Sequence, residues 1–376
     1  MPQMTDSTRA RHTRRSRRGL LAAAVAGLTF TVSGCGGAGV EDGSMTFAVA
    51  DQSMSAATAA YATVPETMGY FEAAGLDVSM QPVESALAAI QSVASGQATC
   101  TYASSGNAFT LAATDPGIVI LGMTNGNIFR TVAPQSSGIT SMDDLAGRTV
   151  GVNTLGTISE DLARGGMESA GVQPADDQFL AVGYGTQAAQ AFRAGDIEAY
   201  SGYDGPNLVV EGLAGEPFVE LESAANSLTG TSSLVCDREA VQTHPDKVAG
   251  LWRAFFQGAT FAEENPEAAV QMHWENFPAS KPGGQDEAAL LSTAVEQLSK
   301  RLDIVGGPGS AGALGRQSDE DIEKMRTFYA QNGILTPEAR ETPLEEIVDY
   351  SLVDRYNDFD EAAVRQQAAT WTGQAG

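Results

Sequence analysis

From residue 45 onward, short apolar runs alternate with apolar positions at helical spacing, and a glycine or proline marks most of the changes. Residues 45–50 read as a strand, and the polar turn Asp51-Gln52-Ser53 opens a helical stretch reaching Gly75. A second strand covers 76–80. Leu87, Ile90, Val93 and Ala94 then share one helical face between Ser85 and the stop at Gly96. Strands follow at 99–102 and 117–121, parted by a helix beginning in Ser104-Ser105-Gly106-Asn107. After Pro134 the rhythm restarts. A capped helical turn at 141–145 leads to a strand at 148–152, the loop 153–157 and a helix over 158–169. A strand at 179–182, the loop Gly183-Tyr184-Gly185-Thr186, a helix to Ala194 and a strand at 197–200 complete this second series. Beyond Thr243 the spacing is helical over 245–264, 266–276, 286–300 and 318–332, interrupted by a glycine-rich loop at 306–315. Alternation of this kind predicts an α/β protein with parallel sheets covered on both faces.

The first 34 residues follow different rules. Arg14, Arg15, Arg17 and Arg18 precede an apolar stretch from Leu20 to Val32, which ends in Ser33-Gly34-Cys35. A basic head, a short apolar middle and a small-residue exit describe a secretory signal. The stretch of 13 residues is short of the ~20 that a spanning helix needs. Ser16-Arg17-Arg18 before Gly19-Leu20-Leu21 resembles the twin-arginine signal. Val32-Ser33-Gly34-Cys35 resembles a bacterial lipobox, so residues 1–34 are read as removed and Cys35 as lipidated. Residues 35–44 are then a flexible tether, and the protein works on the extracytoplasmic face of the cell membrane.

The chain has a formal charge of −25; six of its 22 basic residues and one of its 47 acidic residues lie before Cys35, leaving −30 on residues 35–376. A field of that sign repels phosphate backbones and anionic headgroups, which excludes nucleic acid and direct membrane-surface binding as functions. Cys100 and Cys236 remain as a pair in an oxidising compartment. A bridge between them and two separate buried thiols are both open, the thiols being the simpler reading. His244 and His273 stand in no ligand spacing, so no metal and no cofactor is expected. Phosphate-loop and nucleophile-elbow motifs are absent, which argues against an enzyme.

Four passages occur in a telling order: Gly69-Tyr70-Phe71 with Gly75-Leu76-Asp77-Val78; residues 89–98 around Gly96; Ile139-Thr140-Ser141-Met142-Asp143-Asp144-Leu145-Ala146-Gly147-Arg148 through Val152; and residues 189–199 around Gly195. Together they resemble the solute-binding proteins of ABC importers for nitrate, sulfonates, taurine and thiamine precursors. The resemblance spans most of residues 45–265. It implies a type II periplasmic-binding-protein-like fold: two lobes, each a doubly wound sheet, with further C-terminal helices on the first. The lobes would divide as 45–130 for the first part of lobe 1, 131–230 for lobe 2, and 231–376 for the return to lobe 1. It also implies a monomer that hands a small solute to permease and ATPase subunits.

In doubly wound sheets the ligand lies beyond the carboxyl ends of the strands, where helix starts offer unpaired N–H groups. The loops placed there contain Gln52, Ser53, Ser104, Ser105, Asn107, Gly156, Thr157, Tyr184, Thr186, Tyr203 and Asp204, the candidate solute-binding residues. Ser53, Ser105, Thr157 and Thr186 have an alternative reading as helix caps, and the two tyrosines as packing between lobes. None of these loops carries Lys or Arg, whereas Asp51, Glu84 and Asp204 lie in or beside them. A nitrate, sulfonate or taurine-type solute is the first expectation, and a thiamine-type pyrimidine or other small heterocycle the second. A ligand-sensing subunit of a membrane receptor and a thiamine-pyrimidine biosynthetic enzyme are the other classes considered.

Overall fold

The computed structural model describes Val40 and residues 42–124, 126–283 and 286–373. The signal segment, the lipobox with Cys35, and most of the tether lie outside the described residues. Among the described residues, ten strands form two five-stranded sheets. The first sheet contains β1 (Ser44–Val49), β2 (Asp77–Pro82), β3 (Cys100–Ser104), β4 (Ile118–Met123) and β10 (Ser232–Asp237), in the order β2-β1-β3-β10-β4. The second contains β5 (Phe129–Pro134), β6 (Val150–Val152), β7 (Phe179–Ala181), β8 (Ala199–Tyr203) and β9 (Phe218–Glu220), in the order β7-β6-β8-β5-β9. The fold is thus α/β, as the alternation predicts, and two-lobed, as the resemblance implies.

The expectation of parallel sheets needs a correction. β1 pairs in parallel with β2 and β3, and β6 with β7 and β8. β10 and β5, however, run antiparallel to both of their neighbours. Each of these two strands enters its sheet from the other lobe instead of from a crossover helix on its own sheet, so nothing forces the parallel sense. The passages between lobes lie side by side. Thr124 N–H donates to Ser232 O at 2.9 Å, Gly230 N–H to Thr124 O at 2.9 Å, and Thr231 Oγ1 to Gly126 O at 2.8 Å.

Two smaller departures have local causes. The single helical stretch expected up to Gly75 is broken into Ala56–Thr58, Ala59–Ala62, Val64–Thr67 and Tyr70–Ala73. Pro65 sits in the first turn of one piece, and Gly69 takes a left-handed φ of 69° before the next. Strand β9 has only three residues and carries no pattern of its own. The helical turn at Met142–Leu145 does keep its cap, with Ser141 N–H and Oγ–H both donating to Asp144 Oδ2 at 3.1 Å.

Cys100 and Cys236 face each other across β3 and β10 and are joined by a disulfide. The reading of two independent thiols is overturned, because the antiparallel register brings the two Cα atoms to 4.0 Å. The bond lies against Trp252, whose indole N–H points at Cys236 Sγ from 3.2 Å. Trp252 belongs to the long helix Pro245–Glu264, which packs on the first sheet beneath the disulfide. Further helices, Pro266–Asn276, Glu287–Val305, Asp319–Gln331 and Glu361–Thr370, complete that lobe. The second lobe touches it through the helix Ile158–Ser169, with Leu162 buried among Phe328 and Tyr329. Gly165 is needed there: a Cβ would stand 2.4 Å from Asn332 Cγ.

Candidate functional site

At the carboxyl end of β8, Tyr203 ends the strand and Asp204 opens the helix Asp204–Ala214. Asp204 N–H donates to Ile128 O at 3.0 Å, which fixes the helix start to the passage between lobes. Its carboxylate receives a fork from Arg301: Nε–H to Oδ2 and Nη2–H to Oδ1, both at 2.7 Å. Both side chains are buried, at 3% and 7% exposure. Arg301 comes from the helix Glu287–Val305, whose Leu298, Leu302 and Val305 are set in the core of the first lobe. The pair therefore spans the two lobes. Burial works against the charge on Arg301, but the Asp204 carboxylate outweighs it and holds the guanidinium pKa above its ordinary value.

Four tyrosines surround this pair. The Arg301 guanidinium lies 5.9 Å from the centre of the Tyr203 ring. Tyr203 packs edge-on against Tyr184 at 6.1 Å, and against Phe129 at 6.4 Å. From the first lobe come Tyr61 and Tyr102, edge-on at 5.7 Å and backed by Phe255. Tyr102 shares a hydrogen bond of 2.9 Å with Thr124 Oγ1 in the passage between lobes. Burial raises the pKa of Tyr61, Tyr102, Tyr184 and Tyr203 above the usual phenol value. All four are neutral rings at physiological pH, able to stack and to hydrogen-bond.

The turn after β1 is built around Asp51. Its Oδ1 accepts from Ser53 N–H and Oγ–H at 3.0 and 2.6 Å, and its Oδ2 from Ser55 N–H and Oγ–H at 3.1 and 2.6 Å. Met54, inside this turn, has a φ of 48°. His273 holds it there: Nε2 lies 2.6 Å from Met54 O, and Nδ1 lies 2.7 Å from Thr63 Oγ1. With the carbonyl able only to accept, Nε2 carries the proton and Nδ1 accepts from the threonine.

The eleven candidate residues do not share one fate. Tyr203 and Asp204 stand at the centre of the cluster, and Tyr184 is on its rim at 46% exposure. Asp204 is not a free acceptor, because Arg301 already occupies it. Ser105 is fully buried and bonded to Gly230 O at 2.5 Å and Ser233 Oγ at 2.6 Å, inside the first lobe, which removes it from any ligand. Ser104, also buried, has an Oγ without a partner. Asn107 is half-buried on the first turn of the helix Ser105–Thr114. Gln52, Ser53, Gly156 and Thr186 are exposed. Gly156 N–H donates to Glu160 Oε2 at 2.8 Å, and Thr157 Oγ1 to Thr154 O at 3.0 Å.

Of Ser53, Ser105, Thr157 and Thr186, which the alternative reading makes helix caps, Thr157 alone occupies a cap position. The cap positions of the four helices in question are Ser55, Ser104, Thr157 and Gly185, and none of these forms a side-chain capping bond. Sequence reasoning missed Tyr61, Tyr102 and Arg301. A signal for Arg301 was present: a charged residue interrupting the apolar face made by Leu298, Leu302 and Val305. A separate cleft of about 350 Å³, lined by Gly126, Asn127, Arg130, Asn226, Asp303 and Ile304, adjoins the passage between lobes.

Residues 56–269 match the family model described as NMT1/THI5 like. No curated protein matches the sequence. Among solved structures, the chain resembles the periplasmic aliphatic sulphonate binding protein SsuA from Escherichia coli, with a TM-score of 0.62, 11% identity, and coverage of 82% of this chain and 92% of that one. The alkanesulfonate-binding protein SsuA from Xanthomonas axonopodis pv. citri, bound to MOPS, gives a TM-score of 0.59 and 12% identity over 79% of this chain and 95% of that one. The desulfurization enzyme DSZB gives 0.52 and 14% over 83% and 98%. At such identities the likeness shows the fold alone.

Proposed function

The chain belongs to the NMT1/THI5-like family, and from that premise we propose that it is the extracytoplasmic solute-binding protein of an ABC importer. It closes two lobes on a small solute and delivers it to permease and ATPase subunits. The observation that carries this reading is the meeting of both lobes on Tyr61, Tyr102, Tyr203, Asp204 and Arg301, at the carboxyl end of β8. Open-sheet α/β proteins bind ligands at that place. The two solved sulfonate binders with the same fold point to the same role. The signal segment and lipobox support export and attachment through lipid on Cys35. The cluster contains stacking rings and a satisfied ion pair, a set suited to gripping a solute and not to breaking bonds in it.

A nitrate, sulfonate or taurine-type solute is the broader reading. One observation favours the second, a thiamine-type pyrimidine or similar small heterocycle: the buried guanidinium is already neutralised by Asp204, and the remaining walls are tyrosine rings. The test is a thermal-shift screen against sulfonates, nitrate, taurine, pyrimidines and flavins. A form starting at Gly37 keeps the compact unit and the buried Val40. A solute at 100 times its dissociation constant adds ~2.7 kcal/mol of stability. Tyr184→Ala with Tyr203→Ala abolishes the shift in a protein that still folds; retained binding places the solute elsewhere, and a silent panel counts against capture altogether.

A further inference from the structure

We propose that the Asp204–Arg301 pair selects solutes by charge, rejecting anions at the moment the lobes close and admitting uncharged, ring-bearing solutes. The inference rests on the capture reading above. The guanidinium offers its Nε and Nη2 donors to the two oxygens of Asp204, each at 2.7 Å. A sulfonate or carboxylate bound to arginine would seek the same planar fork. With the two groups paired as they stand, that fork is spent. An anion taking it would leave Asp204, only 3% exposed, buried without its counter-charge, which is heavily penalised. Asp204 is partly held in place by its own backbone, since Gly205 N–H donates to Oδ1 at 2.8 Å. The charged groups that weigh most on Tyr61 and Tyr203 are Arg301, Asp51 and Asp204, one cation against two carboxylates. Nothing in that balance rewards a second anion.

The placement of the pair ties selection to closure. Arg301 is anchored in the first lobe by Leu298, Leu302 and Val305, whereas Asp204 heads a helix of the second. When the lobes part, the two groups part as well, and the guanidinium is open to any anion in solution. Such an anion blocks the seat of Asp204 and prevents shutting. An uncharged ring leaves the seat free, and the pair forms beside it against Tyr203.

Asp204→Asn tests this directly, since it keeps the shape and removes the charge. Calorimetric titration of the form beginning at Gly37 uses ethanesulfonate as the anion and a neutral 4-aminopyrimidine as the uncharged ring. The variant is expected to bind ethanesulfonate at least about tenfold more tightly than the wild type, the worth of one restored charge-assisted hydrogen bond. The aminopyrimidine is titrated alongside, and the ratio of ethanesulfonate to aminopyrimidine affinity is the quantity expected to rise by that factor. Wild type that binds ethanesulfonate as well as the variant overturns the selector and leaves capture standing. A folded variant that gains no anion affinity also overturns it, and the pair is then a structural clamp. If neither form captures either probe or any solute of the wider panel, the capture reading fails and the selector with it. Should Asp204→Asn not fold, Asp204→Ser serves in its place: nitrate then raises its melting temperature above that in chloride, with no such rise in wild type. Equal response of the two proteins overturns the proposal.

Discussion

The two lobes share one strand arrangement but not one kind of core. In the first, the disulfide and Trp252 sit in a continuous bed of rings: Phe47 at 5.7 Å and Phe255 at 5.4 Å from the indole, then Phe256 and Tyr356. The second lobe faces its sheet with two small clusters built on Ala133, Ile139, Leu145 and Val150 on one side and Ala188, Ala189, Tyr200 and Val210 on the other. It also holds Leu155, Leu180, Tyr184 and Leu213, four of the five exposed large hydrophobic residues among those described. Buried apolar area sets local stability, so the first lobe is the stable frame and the second the lighter partner. Any displacement of one lobe against the other costs less when the lighter one moves.

The sharpest way to break this contrast is to hollow the frame. Trp252→Ala removes a fully buried indole and its contacts with Phe47 and Phe255. It should cost roughly 3–5 kcal/mol and lower the melting temperature of the whole molecule, because the second lobe has no independent core of comparable size. A small loss, or one confined to the second lobe in hydrogen exchange, would mean that stability is not concentrated as the cores suggest. Next in size is the disulfide. Cys100→Ala with Cys236→Ala opens a link between residues 136 apart in sequence, and the closed loop contains the entire second sheet. The expected cost is about 2–5 kcal/mol. Chemical denaturation of wild type and variant, compared with wild type in reductant, checks it; equal midpoints would show that the bond does not constrain the first lobe.

Much of this architecture was legible because it is written in local periodicity. The long helices Pro245–Glu264 and Pro266–Asn276 begin on prolines that can only start a helix, and the Ser141–Asp144 cap is a three-residue spacing. What escaped was set by distant partners. The antiparallel sense of β5 and β10 depends on where the chain arrives from, and the Cys100–Cys236 bond depends on that same register. The site shows the division most plainly. Tyr203 and Asp204 lie on a strand end that the pattern located, whereas Arg301 reaches them from a helix 97 residues further along the chain. Ser105 looked like a ligand donor because its loop did, yet its hydroxyl is committed to Gly230 and Ser233 of the returning chain. Loop position is local information. Which hydroxyl is left unpaired is not.

The smallest effect separates the lobes by pH. Asp161, on the helix Ile158–Ser169 of the second lobe, has its pKa raised to about 6 by burial first and by the neighbouring Glu160 second, with Arg164 pulling the other way. The folded state therefore holds this proton more tightly than the unfolded chain, whose carboxyl titrates near the ordinary 3.8. Stability from this group is fully present below that value and is lost as pH rises through about 6. At pH 7.5 the charged side chain is a burden, discounted to about 1 kcal/mol because the group is only partly buried. Asp161→Asn should thus stabilise by about that amount at pH 7.5, and the gain should vanish near pH 4. His273 in the first lobe has the opposite sign. Burial lowers its pKa below 6.5, so its contribution is present above that value and falls away on acidification. Going from pH 7.5 to pH 5 therefore relieves the second lobe while taxing the first, and the difference in firmness between them narrows. Hydrogen exchange at the two pH values, corrected for intrinsic rates, reads both lobes at once. Protection in β6–β8 that does not rise relative to β1 and β3 on acidification would show that Asp161 is too well solvated to matter.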